Sequence, residues 1–373
     1  MLVSFPHMGS NWPAFKALCE GMGAQVYIPD GNNIHSLEKG LRNSPEWVCF
    51  PFKTTLSNMI QALDSGVKNI AMVTDFGPCR LGFYYAVQER ILKDMGYEFE
   101  MKHLPQGDLL TFEWVDFLRS ICENPKYSSM GNILRTVRIF LMKSYLIAMS
   151  EELEGKTRCC EKFRGDTTRT FKKSLLTIDR AKTFQELKAA RREIRRSFEK
   201  IPRRIPEDDL LVVGLTGEIF VLLDEFSNHA IKRKLGEMGC EVHMGTSMYD
   251  WVKHKLHVNF RRKYLEHVSR KHKSIGGLQM DIGGEAIWVT GEYVLHSQEG
   301  FDGFVHIYPF TCMPEITAKA IINNWYGKGI FHLPPFFFSF DEHSGEAGLV
   351  TRLESYIDLL RRRKKRAREV KIG

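Results

Sequence analysis

The fold is decided at the start of the chain, where residues 2–28 read LVSFPHMGSNWPAFKALCEGMGAQVYI. Two short β-rich runs, Leu2–Phe5 and Gln25–Ile28, flank a helical pattern at Trp12–Gly21 that ends near glycine. A strand, a helix and a second strand in this order form a βαβ unit, and its two strands are parallel because a crossover helix connects them. The sequence therefore predicts a parallel sheet with helices on its faces.

The same alternation continues to about residue 104. It predicts further strands at Trp47–Phe50, Asn69–Val73 and Phe99–Leu104. It also predicts helices at Thr54–Ser65 and Leu81–Met95. We accordingly expect residues 1–107 to form an N-terminal α/β lobe with a doubly wound parallel sheet.

Residues 108–205 have a different character, with long helical patterns and few β-branched runs. They predict a helical insertion or bridge that ends at Pro202–Asp209. The run LLVVG at residues 210–214 then opens a second α/β series, and residues 206–373 form a predicted C-terminal lobe. The further strands predicted in this lobe are 241–243, 304–308 and 336–340. Its predicted helices are 225–238, 249–269, 314–325 and a last one from about 348 onward.

The composition is that of a folded globular protein. The 373 residues are 43% hydrophobic and 26% charged, which excludes disorder and allows two domains. No apolar run reaches the ~18 residues of a membrane helix, and the N-terminus lacks the pattern of a signal peptide. We therefore expect a cytoplasmic protein, whose eight cysteines are reduced thiols or metal ligands.

The net charge of +8 is concentrated in two segments. Residues 155–205 hold 17 basic and 6 acidic residues, and residues 361–373 hold 8 basic and 1 acidic. Apolar residues at helical spacing in the first segment predict amphipathic helices with solvated basic faces. Because neither segment has the interleaved aromatic residues of a strand-binding surface, we disfavour nucleic acid as a partner. An acidic protein partner fits the same charges.

Three unusual loops carry one cysteine each, at Cys49, Cys79 and Cys312. Because loops at the carboxyl ends of parallel strands converge on one crevice, a cleft between the lobes could bring the three thiols together. Three thiolates in a setting rich in Pro and Phe suit an iron-sulfur cluster. Their separations match no short ligand motif, and buried thiols that pack as small hydrophobic groups are the alternative.

Five stretches extend this interpretation. They are CFPFKTTLSN at 49–58, GPCRLGFY at 77–84, VGLTGEIFVLLD at 213–224, YPFTCMPE at 308–315 and DEHSGEAGLVTRLE at 341–354. Together they resemble the acyl-CoA dehydratase activase-related proteins, which are relatives of the 2-hydroxyacyl-CoA dehydratases, benzoyl-CoA reductases and double-cubane-cluster proteins. The likeness runs from Phe5 to the last helix.

The resemblance implies a two-lobed fold with a cluster in the interlobe cleft, most simply a 4Fe-4S cluster held by Cys49, Cys79 and Cys312. It also implies an ATP-hydrolysing iron-sulfur activator as electron donor and reductive or dehydratase chemistry on an acyl-CoA. No CoA-binding residue carries over, and a double cubane needs more than three cysteine ligands. A non-catalytic electron-transfer or regulatory subunit and a cluster-free protein that binds a small anion remain alternatives. By analogy with the paired subunits of the dehydratases, a homodimer is compatible with the chain.

Several further residues have two interpretations each. Glu218, Asp341 and Glu342 could act as acids or bases near the cluster, or could cap the helices that follow, as could Glu315. Lys53 and Arg80 flank two candidate ligands, so they could offset the charge of a cluster or could form ordinary surface pairs.

The adjacent cysteines Cys159 and Cys160 lie outside the expected ligand loops. Adjacent cysteines rarely chelate one metal well. We therefore interpret them as packing or surface thiols, with a supplementary ligand as the alternative.

Overall fold

The computed structural model describes residues 1–74, 79–104, 113–204 and 210–372, without the side chains of 370–372. The chain divides into two compact units. The first comprises Met1–Ile147, Leu175–Arg191 and Met248–Val258, and the second comprises Ala148–Ser174, Arg192–Ser247 and Asn259–Gly373. The predicted boundaries between 107 and 108 and between 205 and 206 lie outside the described residues.

The first sheet contains four strands: β1 (Leu2–Ser4), β2 (Gln25–Tyr27), β3 (Asn69–Met72) and β4 (Glu100–His103). The α-helices up to β5 are α1 (Trp12–Gly21), α2 (Ile34–Asn43), α3 (Phe50–Asp64), α4 (Tyr84–Asp94), α5 (Glu113–Ser120), α6 (Met130–Arg158), α7 (Asp166–Arg180) and α8 (Phe184–Glu199). The strand order is β2-β1-β3-β4, and every pair is parallel.

Both faces of the first sheet are buried. On β3, Ile70 and Met72 pack with the apolar side of α3 and α4, whereas Ala71 packs with Val3 of β1 and with α1 and α5 on the opposite face. This alternation follows from the period of two residues in a strand. The predicted doubly wound parallel sheet is thereby confirmed for this unit.

The second sheet contains β5 (Leu211–Gly217), β6 (Cys240–Met244), β7 (Gly303–Pro309) and β8 (Pro335–Phe340). The helices of this half are α9 (Ile219–Leu223), α10 (Ile231–Glu237), α11 (Met248–Lys255), α12 (Phe260–Lys271), α13 (Ala286–Glu299), α14 (Met313–Gly327) and α15 (Glu346–Ile372), and α11 belongs to the first unit. The order β6-β5-β7-β8 is again entirely parallel.

The second sheet is also covered on both faces. Val305 and Ile307 of β7 pack with α10 and α15, whereas Phe304 packs with α13 and α14 on the other face. The two sheets have the same strand order. In each sheet the second strand is added on one side of the first and the later strands on the other side, so the order of addition switches between β1 and β3 and between β5 and β7. Such a switch opens a crevice at the carboxyl ends of the strands. In each unit, this is the edge at which sheets of this topology commonly bind ligands.

Two pairs of helices, α2 with α3 and α12 with α13, pack closely through a glycine. A Cβ atom on Gly40 of α2 would lie 2.1 Å from the Lys53 carbonyl oxygen of α3, and one on Gly291 of α13 would lie 2.3 Å from the Leu265 carbonyl oxygen of α12. Only glycine allows these approaches. Because α3 and α13 are the helices that precede the third strand of each sheet, glycine places them close to their neighbours in both units.

Two predicted elements are wrong. Residues 47–50 form a turn that leads into α3, because Pro51 lacks an N–H and its fixed φ suits the first turn of a helix. The helix predicted at 249–269 is two helices, α11 and α12. His257 adopts a left-handed φ of 56° between them, and the Asn259 side chain accepts the Arg262 N–H to begin α12.

Three helices, α2, α9 and α13, were not predicted, and another helix begins later than predicted. The capping box of Asn33 and Ser36 begins α2. The helix predicted from residue 225 begins only at Ile231, because His229 and Ala230 have left-handed φ angles of 51° and 53°.

In the described part of the chain, no helix combines the length and the hydropathy that a membrane crossing requires.

Candidate functional site

The three candidate cysteines occupy the same local position in their loops. Cys49 is the N-cap of α3 and Cys312 is the N-cap of α14, while Cys79 is the N-cap of a short 3-10 helix, Arg80–Phe83, that leads into α4. All three have extended backbone angles, and Cys49 begins a helix rather than ending a strand as predicted. The N–H groups at a helix N-terminus stabilise nearby negative charge.

The loops of Cys49 and Cys79 are neighbours in the first unit. The Arg80 guanidinium donates a 2.7 Å hydrogen bond to the carbonyl oxygen of Trp47, two residues before Cys49. The ring of Phe52, in the first turn of α3, and that of Tyr84, the first residue of α4, pack edge to face with their centroids 5.1 Å apart. The first turns of α3 and α4 therefore lie side by side, and the structure brings these two cysteine-bearing loops to one edge of the first sheet.

Gln88 strengthens the same contact from α4. Its Nε2 donates to the Thr55 hydroxyl at 2.7 Å and to the Phe52 carbonyl oxygen at 3.1 Å, and Gln88 itself is fully buried. A buried amide with two partners fixes the orientation of both helices. The adjacency of the two loops is thus held by hydrogen bonds as well as by ring packing.

In the second unit, Cys312 lies at the matching edge of its own sheet. The Phe310 N–H donates to the Phe340 carbonyl oxygen at 2.8 Å, and the Glu218 N–H donates to the Ile307 carbonyl oxygen at 3.1 Å. The loops after β5, β7 and β8 are therefore adjacent. They carry Glu218, Cys312 and Asp341, so the structure groups three predicted site residues at one edge.

The carboxylates at this edge already have structural partners. Glu218 caps α9, because its two carboxylate oxygens accept the N–H groups of Phe220 and Val221 at 3.1 and 2.9 Å. Asp341 accepts the His343 N–H at 3.0 Å and the Ser344 hydroxyl at 2.9 Å. Glu342 lies beside it, half-buried and before the start of α15. The capping alternative thus describes the observed contacts of Glu218.

We expect Glu218→Ala to lower the free energy of unfolding by about 1 kcal/mol, because two N–H groups at the start of α9 lose their acceptor. Urea unfolding would measure this change. Glu218→Gln, which keeps a side-chain oxygen at this position, is the matched control and should lose less. An alanine variant that unfolds at the wild-type urea concentration would show that the cap does not contribute.

The two basic candidates differ in their surroundings. Lys53 is 4% exposed and lies one turn into α3, close in sequence to Cys49. Arg80 is exposed, and its guanidinium donates to the backbone carbonyl oxygen of Trp47. A buried ammonium so close to the start of α3 adds positive charge where the helix terminus already has it.

A buried histidine–glutamate pair near Cys312 was missed by the sequence interpretation. His306 of β7 and Glu315 of α14 are both fully buried, and His306 Nε2 lies 2.6 Å from Glu315 Oε2. Within the described residues, neither His306 Nδ1 nor Glu315 Oε1 has a hydrogen-bond partner. Glu315 was considered as a cap, but it pairs with His306 instead. A histidine within the apolar strand FVHIYP at 304–309 was the signal that could have indicated the pair.

The residue before Cys312 is strained. Thr311 has φ of 71°, which a β-branched residue rarely adopts, and in the described structure its buried hydroxyl oxygen has no hydrogen-bond partner. Strain of this kind persists only where the surroundings impose it, and it is concentrated at functional sites. The loop at 309–312 thus differs from an ordinary strand-to-helix turn.

Burial also supports the packing alternative for two of the cysteines. Cys49 and Cys312 are 7% and 6% exposed, and Cys49 belongs to the apolar core between α3 and β3. Cys79 is partly exposed. Cys49 and Cys79 belong to the first unit, and Cys312 belongs to the second. In this ligand-free structure, the described His, Cys, Asp and Glu side chains form no group of three or more that could hold a metal ion.

The remaining cysteines lie elsewhere. Cys19 and Cys240 are in the apolar cores, and Cys122 follows α5. Cys159 and Cys160 are buried, so the interpretation as surface thiols is wrong and packing remains.

No family model and no curated protein matches the chain.

Proposed function

We propose that the chain is a cytoplasmic iron-sulfur protein, in which Cys49, Cys79 and Cys312 hold one cluster, most simply 4Fe-4S. The observation that carries the proposal is their shared position. Each cysteine occupies the N-cap position of a helix at the carboxyl edge of a parallel sheet, and a hydrogen bond from Arg80 to Trp47 joins two of the three loops. Ligands bind at this edge in sheets of this topology.

The donor set fits this group chemically. Thiolates are the preferred ligands of iron-sulfur clusters, and nearby positive charge and hydrogen bonds tune the potential of such a cluster. Helix N-termini supply N–H groups at each cysteine, and Lys53 and Arg80 add two cations near the first pair. Three protein ligands leave one iron of a cubane available to substrate.

The resemblance noted from the five sequence stretches supplies the direction of electron flow in this proposal. Low-potential electrons would come from an ATP-hydrolysing iron-sulfur activator, and a cluster held by Cys49, Cys79 and Cys312 would supply them for reductive or dehydratase chemistry on an acyl-CoA-like substrate. Of the carboxylates, Asp341 and Glu342 lie at the edge that carries Cys312, as does Glu218. In this proposal Asp341 and Glu342 act as acids or bases near the cluster, whereas Glu218 caps α9.

Spectroscopy tests the proposed function. After anaerobic purification and one-electron reduction, we expect an EPR signal of the reduced cluster that changes shape when an acyl-CoA is added. A signal that does not change when acyl-CoA is added would indicate electron transfer as the function instead of acyl-CoA chemistry. No signal in reduced protein that is folded by circular dichroism would contradict the proposal.

A further inference from the structure

A second pair of thiols lies outside the candidate site. Cys159 and Cys160 follow α6 directly, are 3% and 7% exposed, and have their Sγ atoms 3.4 Å apart. We infer that this pair is a redox modification site, at which a small peroxide oxidises the two thiols to a vicinal disulfide. This inference does not depend on the proposed cluster.

The sulfur atoms are already in contact. A disulfide bond is about 2.05 Å long, so the two atoms need to approach by about 1.4 Å. Because the residues are adjacent, the second thiol is always next to the first, and the closing step is intramolecular. A small oxidant is required because both side chains are nearly inaccessible to solvent.

The backbone of the dithiol is held against a returning segment of chain. The Arg204 N–H donates to the Cys160 carbonyl oxygen at 2.8 Å, and the Arg204 guanidinium donates to the Cys159 carbonyl oxygen at 3.1 Å. The Lys162 N–H donates to the Pro202 carbonyl oxygen at 2.8 Å. A vicinal disulfide closes a small ring around the Cys159–Cys160 peptide, which must turn to allow it. We therefore expect oxidation to weaken the bonds to Arg204 and to loosen residues 202–204.

The reaction balances with hydrogen peroxide as oxidant. The thiolate of one cysteine attacks a peroxide oxygen, the O–O bond breaks, and a sulfenic acid forms while the leaving hydroxide takes up a proton to become water. The second thiol attacks the sulfenic sulfur, the S–O bond breaks and the S–S bond forms, and the released hydroxide takes the second proton. Two thiols thus lose two electrons, and one peroxide is reduced to two waters.

Burial and nearby charged groups set the pH dependence of the oxidation. Burial raises the pKa of Cys159, and the Cys160 thiol and the Glu241 carboxylate of β6 raise it further. Glu241 Oε1 is hydrogen-bonded to His243 Nε2 at 2.8 Å, and the Arg204 guanidinium donates to the Cys159 carbonyl oxygen. Because the thiolate is the nucleophile, we expect slow oxidation near neutral pH and about a tenfold faster reaction for each added pH unit below that pKa.

Peptide mass analysis tests the inference on the intact chain. The protein is treated with hydrogen peroxide, quenched with catalase, unfolded, alkylated with iodoacetamide and digested. We expect the peptide with Cys159 and Cys160 to be unalkylated and lighter by two hydrogen atoms, and to regain both thiols with dithiothreitol. Cys240, a single buried thiol whose pKa burial raises to about 12, is the internal control and should remain alkylatable.

Trypsin digestion of the native protein measures the loosening. Cleavage after Arg203 and Arg204 should accelerate several-fold on oxidation in the wild type and should not change in Cys160→Ser. Two alkylated thiols, sulfinic or sulfonic acid at either position, or a disulfide from either residue to another cysteine would overturn the inference. An oxidised pair without faster cleavage would overturn the coupling to residues 202–204.

Discussion

Replacing Cys312 with serine is expected to reduce the iron content of the anaerobically purified chain from about four atoms to less than about one. The hydroxyl of serine is a poor substitute for a soft thiolate, and a cluster with three protein ligands retains only two after the change. Cys49→Ser and Cys79→Ser should have the same effect, because the proposal gives the three residues equal roles. Metal analysis of each purified variant measures the result.

Cys122→Ser is the matched control. Cys122, like Cys79, is partly exposed, but it follows a helix, its Sγ donates to the Asn124 carbonyl oxygen at 3.1 Å, and it lies outside the proposed ligand set. We expect this variant to keep its iron. If Cys312→Ser retains iron as fully as Cys122→Ser does, Cys312 is not a ligand and the proposed cluster site is wrong.

His306→Leu is expected to lower the free energy of unfolding by about 3–5 kcal/mol, because it leaves the Glu315 carboxylate buried without its partner. Both side chains are fully buried, so water cannot replace the lost contact. Chemical unfolding followed by circular dichroism measures the change. We expect the same order of loss for Glu315→Leu, which leaves the imidazole alone.

The double variant His306→Leu with Glu315→Leu separates pairing from packing. If the pairing of the two side chains is the cause, the double variant should recover much of the stability that each single variant loses, since no polar side chain is then buried without its partner. Losses that simply add would show that the two side chains contribute independently, and the pair would have no role of its own.

The architecture could be predicted because the apolar runs are short, alternate with helical patterns and are bounded by glycine. Both parallel sheets were expected on this basis. The run at Trp47–Phe50 is apolar and β-rich by composition, yet Pro51 begins a helix there. Composition and capping compete at such a position, and the geometry of the helix start prevails.

Less of the candidate site could be predicted. The rule that loops at the carboxyl ends of strands share an edge placed Cys312 beside Glu218 and Asp341 in the second unit. It does not account for Cys49, because the strand predicted at Trp47–Phe50 is absent and Cys49 precedes α3. The partner of Glu315 could not be found in this way. His306 and Glu315 belong to different elements, and their contact depends on how β7 packs against α14.

The N-cap positions were equally difficult to predict. A cysteine is not a typical capping residue, so the sequence does not mark Cys49, Cys79 and Cys312 as helix starts. Proline in the first turn was the available signal in two of the three cases, because Pro51 and Pro314 each follow their cysteine by two residues.

The most direct test of the central claim is the iron and acid-labile sulfide content of the wild-type chain, purified without oxygen. The account predicts about four iron and about four sulfide per chain, with the visible absorption of thiolate-bound iron. Folded protein that retains less than about one iron per chain after anaerobic reconstitution with iron and sulfide would contradict it.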